Sequence, residues 1–410
     1  MDELLRSRRL REYNSGIILQ ELKKCGALTK FELSHKLKLS LSTISNFCKY
    51  LEEQGFIRAN ENTISSAGRP ANKISINPEA GYFTIFKFSN DADVIGVELL
   101  DFDYKKIASS TVNYEEVLSL ESMIKRMKDE TDSILRSKNI SANRHIGVGL
   151  SIPGEFDKRR RIVFTPHRKL LNNVRLLDRM SEAFASTIVI ENDANLIAQG
   201  YGVVTRGKTK DLLALFFSYG IGLGILIDGK VYSGHAGYAG EIGHIRSAES
   251  GKDCSCGAVG CLQTVATLRY ILCEYFPSCD MDAAIKNQNE LLARFAAALH
   301  AGDPAARRIL ERAGRSIGDC IGSLIDLFNP EVIGVCGNIT GIYGDFIEII
   351  RINVLKRSFI IANNDTPILH FQDYEDLMTI GAAEMIFNRW IGSGELQSSP
   401  LADGAPALNT

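Results

Sequence analysis

The chain has 410 residues, 45% hydrophobic and 23% charged, with a formal net charge of −2. That composition excludes a disordered or fibrous chain and leaves material for two or three globular domains. Charge is unevenly spread: residues 1–80 carry 13 Lys/Arg against 9 Asp/Glu, a net of +4, which leaves −6 on the remainder. A basic N-terminal piece on an acidic body fits a nucleic-acid-binding module attached to something else.

The opening MDELLRSRRLREYNSG lacks the apolar core of a secretion signal. A run with Ile18, Leu22 and Cys25 near helical spacing follows and closes at Gly26. The next helix opens with a capping box, Thr29 and Glu32, and turns Leu33 and Leu37 inward. A third carries Ile44, Phe47 and Leu51 as its buried stripe and ends at Gly55. Three short helices joined by tight turns, the third starting in small polar residues, predict a helix-turn-helix. Ser42, Thr43, Ser45, Asn46 and Lys49 then lie opposite the apolar stripe and offer donors and acceptors to base edges in operator DNA. Residues 56–78 alternate and turn twice, which predicts a two-stranded wing with Asn60–Asn62 at its tip. Ala67–Pro70 reads as the exit into a linker, and Arg69 within it suits either a minor groove or a linker turn.

From Tyr82 onward β-rich runs alternate with helices near 115–137 and 174–185, which argues an α/β body with a central sheet. The apolar strand Thr187–Ile190 leads into Asn192 and Asp193, at the strand end where α/β folds bind ligands. Asp193 could accept a hydroxyl proton there, or simply cap a helix. Leu212–Ile227 is the one membrane-like run, but it is short for a span and its glycines divide it into two buried strands. A cytoplasmic protein that engages no membrane is expected, with its nine cysteines mostly free thiols or metal ligands.

Cys254, Cys256 and Cys261 are separated by a loop holding Gly257 and Gly260, with His244 ten residues before the first. Glycines let so short a loop aim three sulfurs at one point. With His244 they make a Cys3His set, the closed arrangement of structural zinc; a disulfide and unligated thiols are the alternatives. Glu241 shares a glycine-rich loop with His244, whose second ring nitrogen is then available to a ligand. Together with Asn192 and Asp193 these groups suit a polyol.

The motifs IENDAN, GIGLGILIDGKVYSGHAGYAGEIGH and CSCGAVGCLQT, in that order, resemble the ROK family of sugar kinases and sugar-responsive repressors, roughly from Tyr82 to Trp390. The helix-turn-helix followed by GRPANKISINPEAGY is similar to the repressor branch, whose relatives answer to xylose, N-acetylglucosamine or glucose status. The resemblance implies an α/β chain: a winged helix-turn-helix with linker over 1–80, then an actin-like, two-lobed ATPase-type body. Lobe I would span 81–195 and regain a helix at about 376–390. Lobe II, with the zinc loop, would span 196–375, and 391–410 would be a disordered tail. Homodimers or homotetramers are implied. By position, Gly154, Asn192, Asp193, Glu241 and His244 would bind sugar, with Asp193 at the kinase base position, and His244, Cys254, Cys256 and Cys261 would hold zinc. Gln263 stands where the family usually has glutamate; it keeps an acceptor and loses the charge. Pro153 matches the loop against the sugar, and His167 stands where kinases tend to have asparagine.

Kinases of this type hold ATP and a divalent ion with a DxGGT hairpin on the first strand. Here Lys87 replaces the aspartate, Ser89 and Asn90 the glycines, and Asp91 the threonine. Asp91 and Asp93 would repel a triphosphate, and Gly337 is followed by Asn338 instead of a second glycine. Gly220, Gly222 and Gly224 remain. The expectation is a sugar-responsive repressor of carbohydrate uptake or catabolism genes that is not an enzyme, sugar in the cleft releasing operator DNA. The alternatives are a bifunctional ATP-dependent sugar kinase and a regulator controlled by a phosphotransfer-system protein partner.

Overall fold

The computed structural model describes residues 2–60, 72–88, 94–113, 119–165, 168–247, 251–281, 284, 287–339, 342, 346–356 and 366–393. Its first helix runs from Asp2 to Cys25 and so starts well before the expected apolar run. Gly16 makes the sequence look broken there, but its role is packing: a side chain at that position would overlap Ile391. Helix Lys30–Leu37 carries both halves of the capping box, Thr29 Oγ1 accepting from Glu32 N at 3.1 Å and the Glu32 carboxylate accepting from Thr29 N at 2.7 Å. The third helix, Leu41–Glu53, is capped by Ser40 and buries Ile44, Cys48 and Leu51. Cys48, at i+4 from Ile44, takes the central place expected of Phe47, which is only partly buried.

The wing has three strands, where two are expected. β1 (Leu28–Thr29), β2 (Ile57–Asn60) and β3 (Lys73–Ile76) pair antiparallel in the order β1-β3-β2. In the β2–β3 pair Ile57 faces Ile76 and Asn60 faces Lys73. Ala67–Pro70, expected as the exit into a linker, lies outside the described residues. Alternation reveals a strand, but only pairing reveals where the hairpin ends. Residues 61–71, including Arg69 and most of the expected tip, lie outside the described residues. After β3 a single turn at Pro78–Ala80 leads into the body.

The body repeats one topology twice. β4 (Tyr82–Phe88), β5 (Val94–Asp101) and β6 (Lys106–Asn113) form a meander, extended by parallel β7 (His145–Ile152) and β10 (Thr187–Asn192). The second sheet has the same plan: β11 (Leu212–Phe217), β12 (Ile221–Ile227) and β13 (Lys230–Val231), then parallel β14 (Val332–Gly337) and β15 (Ile368–His370). A small hairpin, β8 (Glu155–Asp157) with β9 (Ile162–Phe164), projects from the first lobe. The expected strand pair in Leu212–Ile227 is β11–β12. Its continuous apolar run, like that of fully buried β14, belongs to strands covered on both faces.

Two helices join the lobes. Helix Asp193–Val204 leaves β10 and packs on β11 and β12, while helix Tyr374–Ser393 returns to β4, β7 and β10. Where they cross, a Cβ on Gly200 would lie 2.6 Å from the Leu377 carbonyl carbon, and one on Gly381 would lie 2.9 Å from that of Leu196. Only glycine allows backbones this close.

The helix-turn-helix is docked against this body. Ile18, Leu22, Ile44 and Phe56 share one core with Phe83, Phe102, Phe387 and Trp390. The Phe56 ring lies 5.5 Å from Trp390 and 5.8 Å from Phe102 between centroids. Lys23 completes the junction: its ammonium sits 3.4 Å from the Tyr104 ring centroid and 4.7 Å from that of Phe387, and donates to the Phe102 carbonyl. Burial pulls the Lys23 amine down to about 7, against the opposing pull of Glu384, Asp103 and Asp101. Among the described residues, no helix is long and apolar enough to cross a membrane.

Candidate functional site

The cleft between the lobes is built at the carboxyl ends of three parallel strands. Pairing aligns Lys87 of β4, Ser151 of β7 and Glu191 of β10, and Asp193 opens the helix just beyond. Asn192 is the helix N-cap, its Oδ1 accepting from Ala194 N at 2.9 Å. Its Nδ2 donates to the Gly154 carbonyl at 2.9 Å and to Glu155 at 3.3 Å, so the amide is tied to the loop it faces. Asp193 accepts from Ser151 Oγ. Burial pushes its carboxyl up to about 7, and the Ser151 hydrogen bond and the Lys87 charge only partly offset this. Glu191 is held by Lys158 at 2.8 Å and by Asn195 at 3.0 Å.

Gly154, Asn192, Asp193, Glu241, His244 and Gln263 line one cavity of about 300 Å³. Two further lining residues, Glu155 and Arg269, are not singled out by the sequence. Glu155 directly follows the expected Gly154, but as the first residue of a short alternating strand it looks like a surface position. Arg269 sits 3.7 Å over the Tyr219 ring centroid, reached only through the fold of the second lobe.

The cysteine cluster assembles as spacing suggests. One ligand atom from each of His244, Cys254, Cys256 and Cys261 lies within 4.8 Å of all the others, so the group could hold a metal ion. Gly257 and Gly260 turn the loop at φ +88° and +83°. Cys256 Sγ and Cys261 Sγ are 3.7 Å apart, and Cys254 Sγ is 3.6 Å from His244 Nδ1. A tetrahedral ion with sulfur bonds of ~2.3 Å and nitrogen bonds of ~2.0 Å would have edges of about 3.8 and 3.5 Å. The donor set fits. Burial resists ionisation of Cys254, but hydrogen bonds from Cys256 and the Gln263 amide hold its thiol below the ordinary value. Burial and the neighbouring thiols push Cys261 up. Gln263 Nε2 donates to Cys254 Sγ at 3.0 Å from a buried position. Its amide thus supports the cysteine cluster as well as lining the cleft, a role that only an amide, not a carboxylate, can play toward a thiolate.

On the other side of Asp193 a cavity of about 220 Å³ is lined by Lys87, Asn338, Tyr374 and Glu375. Lys87 pairs with Glu98 at 2.9 Å and Glu375 at 3.5 Å, and Glu98 also takes Lys106 at 3.2 Å and the Thr379 hydroxyl at 2.7 Å. Ser89, Asn90, Asp91, Asp93 and His167 lie outside the described residues.

On the helix-turn-helix, Ser42, Asn46 and Lys49 are exposed, while Thr43 and Ser45 are half-buried. Thr43 is engaged in the cap, its Oγ1 lying 2.7 Å from Ser40 Oγ. Lys49 reaches only Glu53 at 3.8 Å, a surface pair of small energy.

Residues 94–385 match the ROK family, and residues 13–58 match a winged helix-turn-helix DNA-binding family. The chain belongs to the ROK family. A xylose repressor from Caldicellulosiruptor bescii is 26% identical over 359 residues, 86% of this chain and 89% of that protein. Among solved structures, a ROK family transcriptional regulator, a homolog of the E. coli MLC protein, superposes with a TM-score of 0.77 at 22% identity, covering 97% of this chain and 100% of that one. A ROK hexokinase from Thermus thermophilus superposes with a TM-score of 0.60 at 22% identity, over 74% of this ROK protein and 97% of the hexokinase. The hexokinase match stops short of the full chain; the regulator match does not.

Proposed function

We propose that this ROK protein is a sugar-responsive DNA-binding repressor of carbohydrate genes. The observation that carries this reading is the single core joining the DNA-binding helices to the cleft-spanning helices. A sugar on Asp193 sits at the start of helix Asp193–Val204, which crosses helix Tyr374–Ser393, which in turn packs through Ile391 and Trp390 on the helix-turn-helix. Lobe closure then moves the recognition helices of a homodimer or homotetramer off two operator half-sites. Ser42, Asn46 and Lys49 supply the exposed base and phosphate contacts, with Thr43 and Ser45 beside them; Arg69, outside the described residues, is the candidate for a minor groove. The sugar acts only through its differential affinity for the two lobe arrangements.

Gly154, Asn192, Asp193, Glu241 and His244 form the sugar site, with Gln263 beneath. His244 Nδ1 and the sulfurs of Cys254, Cys256 and Cys261 would hold a zinc ion, which when bound supplies a closed structural cross-link and keeps the thiols ionised. His244 Nε2 is then left to the cleft. The chain is not an enzyme in this reading: Lys87, held by Glu98, puts positive charge where a kinase needs a metal-binding carboxylate.

A thermal-shift screen of sugars and sugar phosphates, with hits tested for release of promoter DNA, decides the matter. Stabilisation without release, or no stabilisation at all, would refute the repressor reading. One observation favours a residual sugar kinase: Asp193 is in place and its carboxyl sits near 7, where a general base is useful. ADP release that depends on sugar and disappears in Asp193→Asn would establish that second activity.

A further inference from the structure

Glu155 and Glu241 meet across the cleft. Glu155 opens β8 in the first lobe, and Glu241 precedes the turn Ile242–His244 in the second. Both carboxyl groups line the same cavity, one from each lobe. Two carboxylates facing one cavity repel, and among the described residues no cation pairs with either of them. The nearby cations are already committed. Lys158 is on Glu191 at 2.8 Å, Lys87 is on Glu98 at 2.9 Å, and His244 Nδ1 faces Cys254 at 3.6 Å. Arg269 is stacked on Tyr219 and is itself 6% exposed, and its Nε–H has no acceptor among the described residues. The cavity therefore lacks two things at once: a multi-donor cation between Glu155 and Glu241, and an acceptor oxygen at Arg269.

We propose that the effector is an amino sugar with a free, protonated amine, whose ammonium bridges Glu155 and Glu241 while a ring or hydroxyl oxygen meets Arg269. This rests on the cleft being a sugar site. An ammonium has three donors and can serve both carboxylates together, whereas a hydroxyl donates once and leaves the like charges facing each other. An acetamide has no charge and a single N–H donor. Because the two acids belong to different lobes, the amine also ties the lobes together, which gives the ligand its preference for the closed arrangement.

The test is calorimetry on the full-length protein with glucosamine, glucose and N-acetylglucosamine at slightly acidic pH. Glucosamine is expected to bind about 10-fold or more tighter than the other two, an advantage of ~1.4 kcal/mol. Glu155→Gln should erase that preference while glucose still binds, and Glu155→Ala should do the same if the first variant folds poorly. Equal affinity for glucosamine and glucose, or a preference that survives both substitutions, would overturn the amine assignment and leave the sugar site standing. Binding of none of the three by wild-type protein, with none found in the wider sugar screen, would remove the sugar site itself. Displacement of glucosamine by magnesium or calcium alone at equal concentration would assign the pair to a metal and overturn the proposal.

Discussion

Replacing Gly200 by alanine tests whether the two crossing helices set the geometry between cleft and DNA-binding domain. In an isolated helix this change is stabilising, by about 0.5–1 kcal/mol. Here the new methyl would stand 2.6 Å from the Leu377 carbonyl carbon and 2.9 Å from its Cα, and would overlap the carbonyl oxygen. Ordinary carbon contacts begin near 3.5 Å, so the helices must part by about 1 Å. The obstacle is backbone, not the end of a flexible side chain, so local rotation cannot relieve it. Overpacking of this kind costs about 1–3 kcal/mol, which offsets the helix-propensity gain and leaves a net loss of up to about 2.5 kcal/mol. Gly392, in the same return helix, has open space where a Cβ would stand, with nothing within 4 Å, and its alanine variant is expected to be neutral or slightly stabilising. Urea denaturation of both variants measures the stability difference. Operator binding with and without effector measures the coupling, which should weaken in the Gly200 variant because the lobes no longer seat as before. A Gly200→Ala protein as stable as wild type, with full effector response, would refute the reasoning.

Lys23→Met should flatten a pH dependence of stability. A base whose folded pKa is about 7 and whose unfolded value is 10.5 binds fewer protons when folded, so wild-type stability should rise with pH between those values and be level below about 7. Denaturation midpoints of the two proteins across that range read it directly. Chelation, or Cys256→Ser, should lower the melting temperature and weaken effector binding, because the loop carrying His244 loses its anchor; unchanged effector affinity after verified metal loss would separate the two sites. Asn46→Ala should cost operator binding about 1–3 kcal/mol with relaxed sequence preference. Lys49→Ala should weaken binding to all sequences and reduce the salt slope by about one, as measured by titration at several salt concentrations.

Much of this protein is legible from local pattern. The Thr29–Glu32 capping box, the strand pair in Leu212–Ile227 and the Cys-His cluster rest on interactions within a few residues or a short loop, where spacing constrains geometry strongly. Asn192 and Asp193 are visible too, as polar residues where an apolar strand stops. The tertiary structure alone decides the rest, because the partners are distant in the chain. Gly16, Gly200 and Gly381 look like weak points in their helices until Ile391, Leu377 and Leu196 are seen against them. The third wing strand, Leu28–Thr29, goes unread because its pairing with Ile74 and Lys73 leaves no mark on so short a segment. Glu155 and Glu241 lie on separate lobes, and nothing local in SIPGEFD or GYAGEIGH says that they meet. The sequence specifies which chemical groups are present and the local shape that presents them. Close approach of backbones, and the gathering of charge from two lobes into one cleft, exist only once the whole chain has packed.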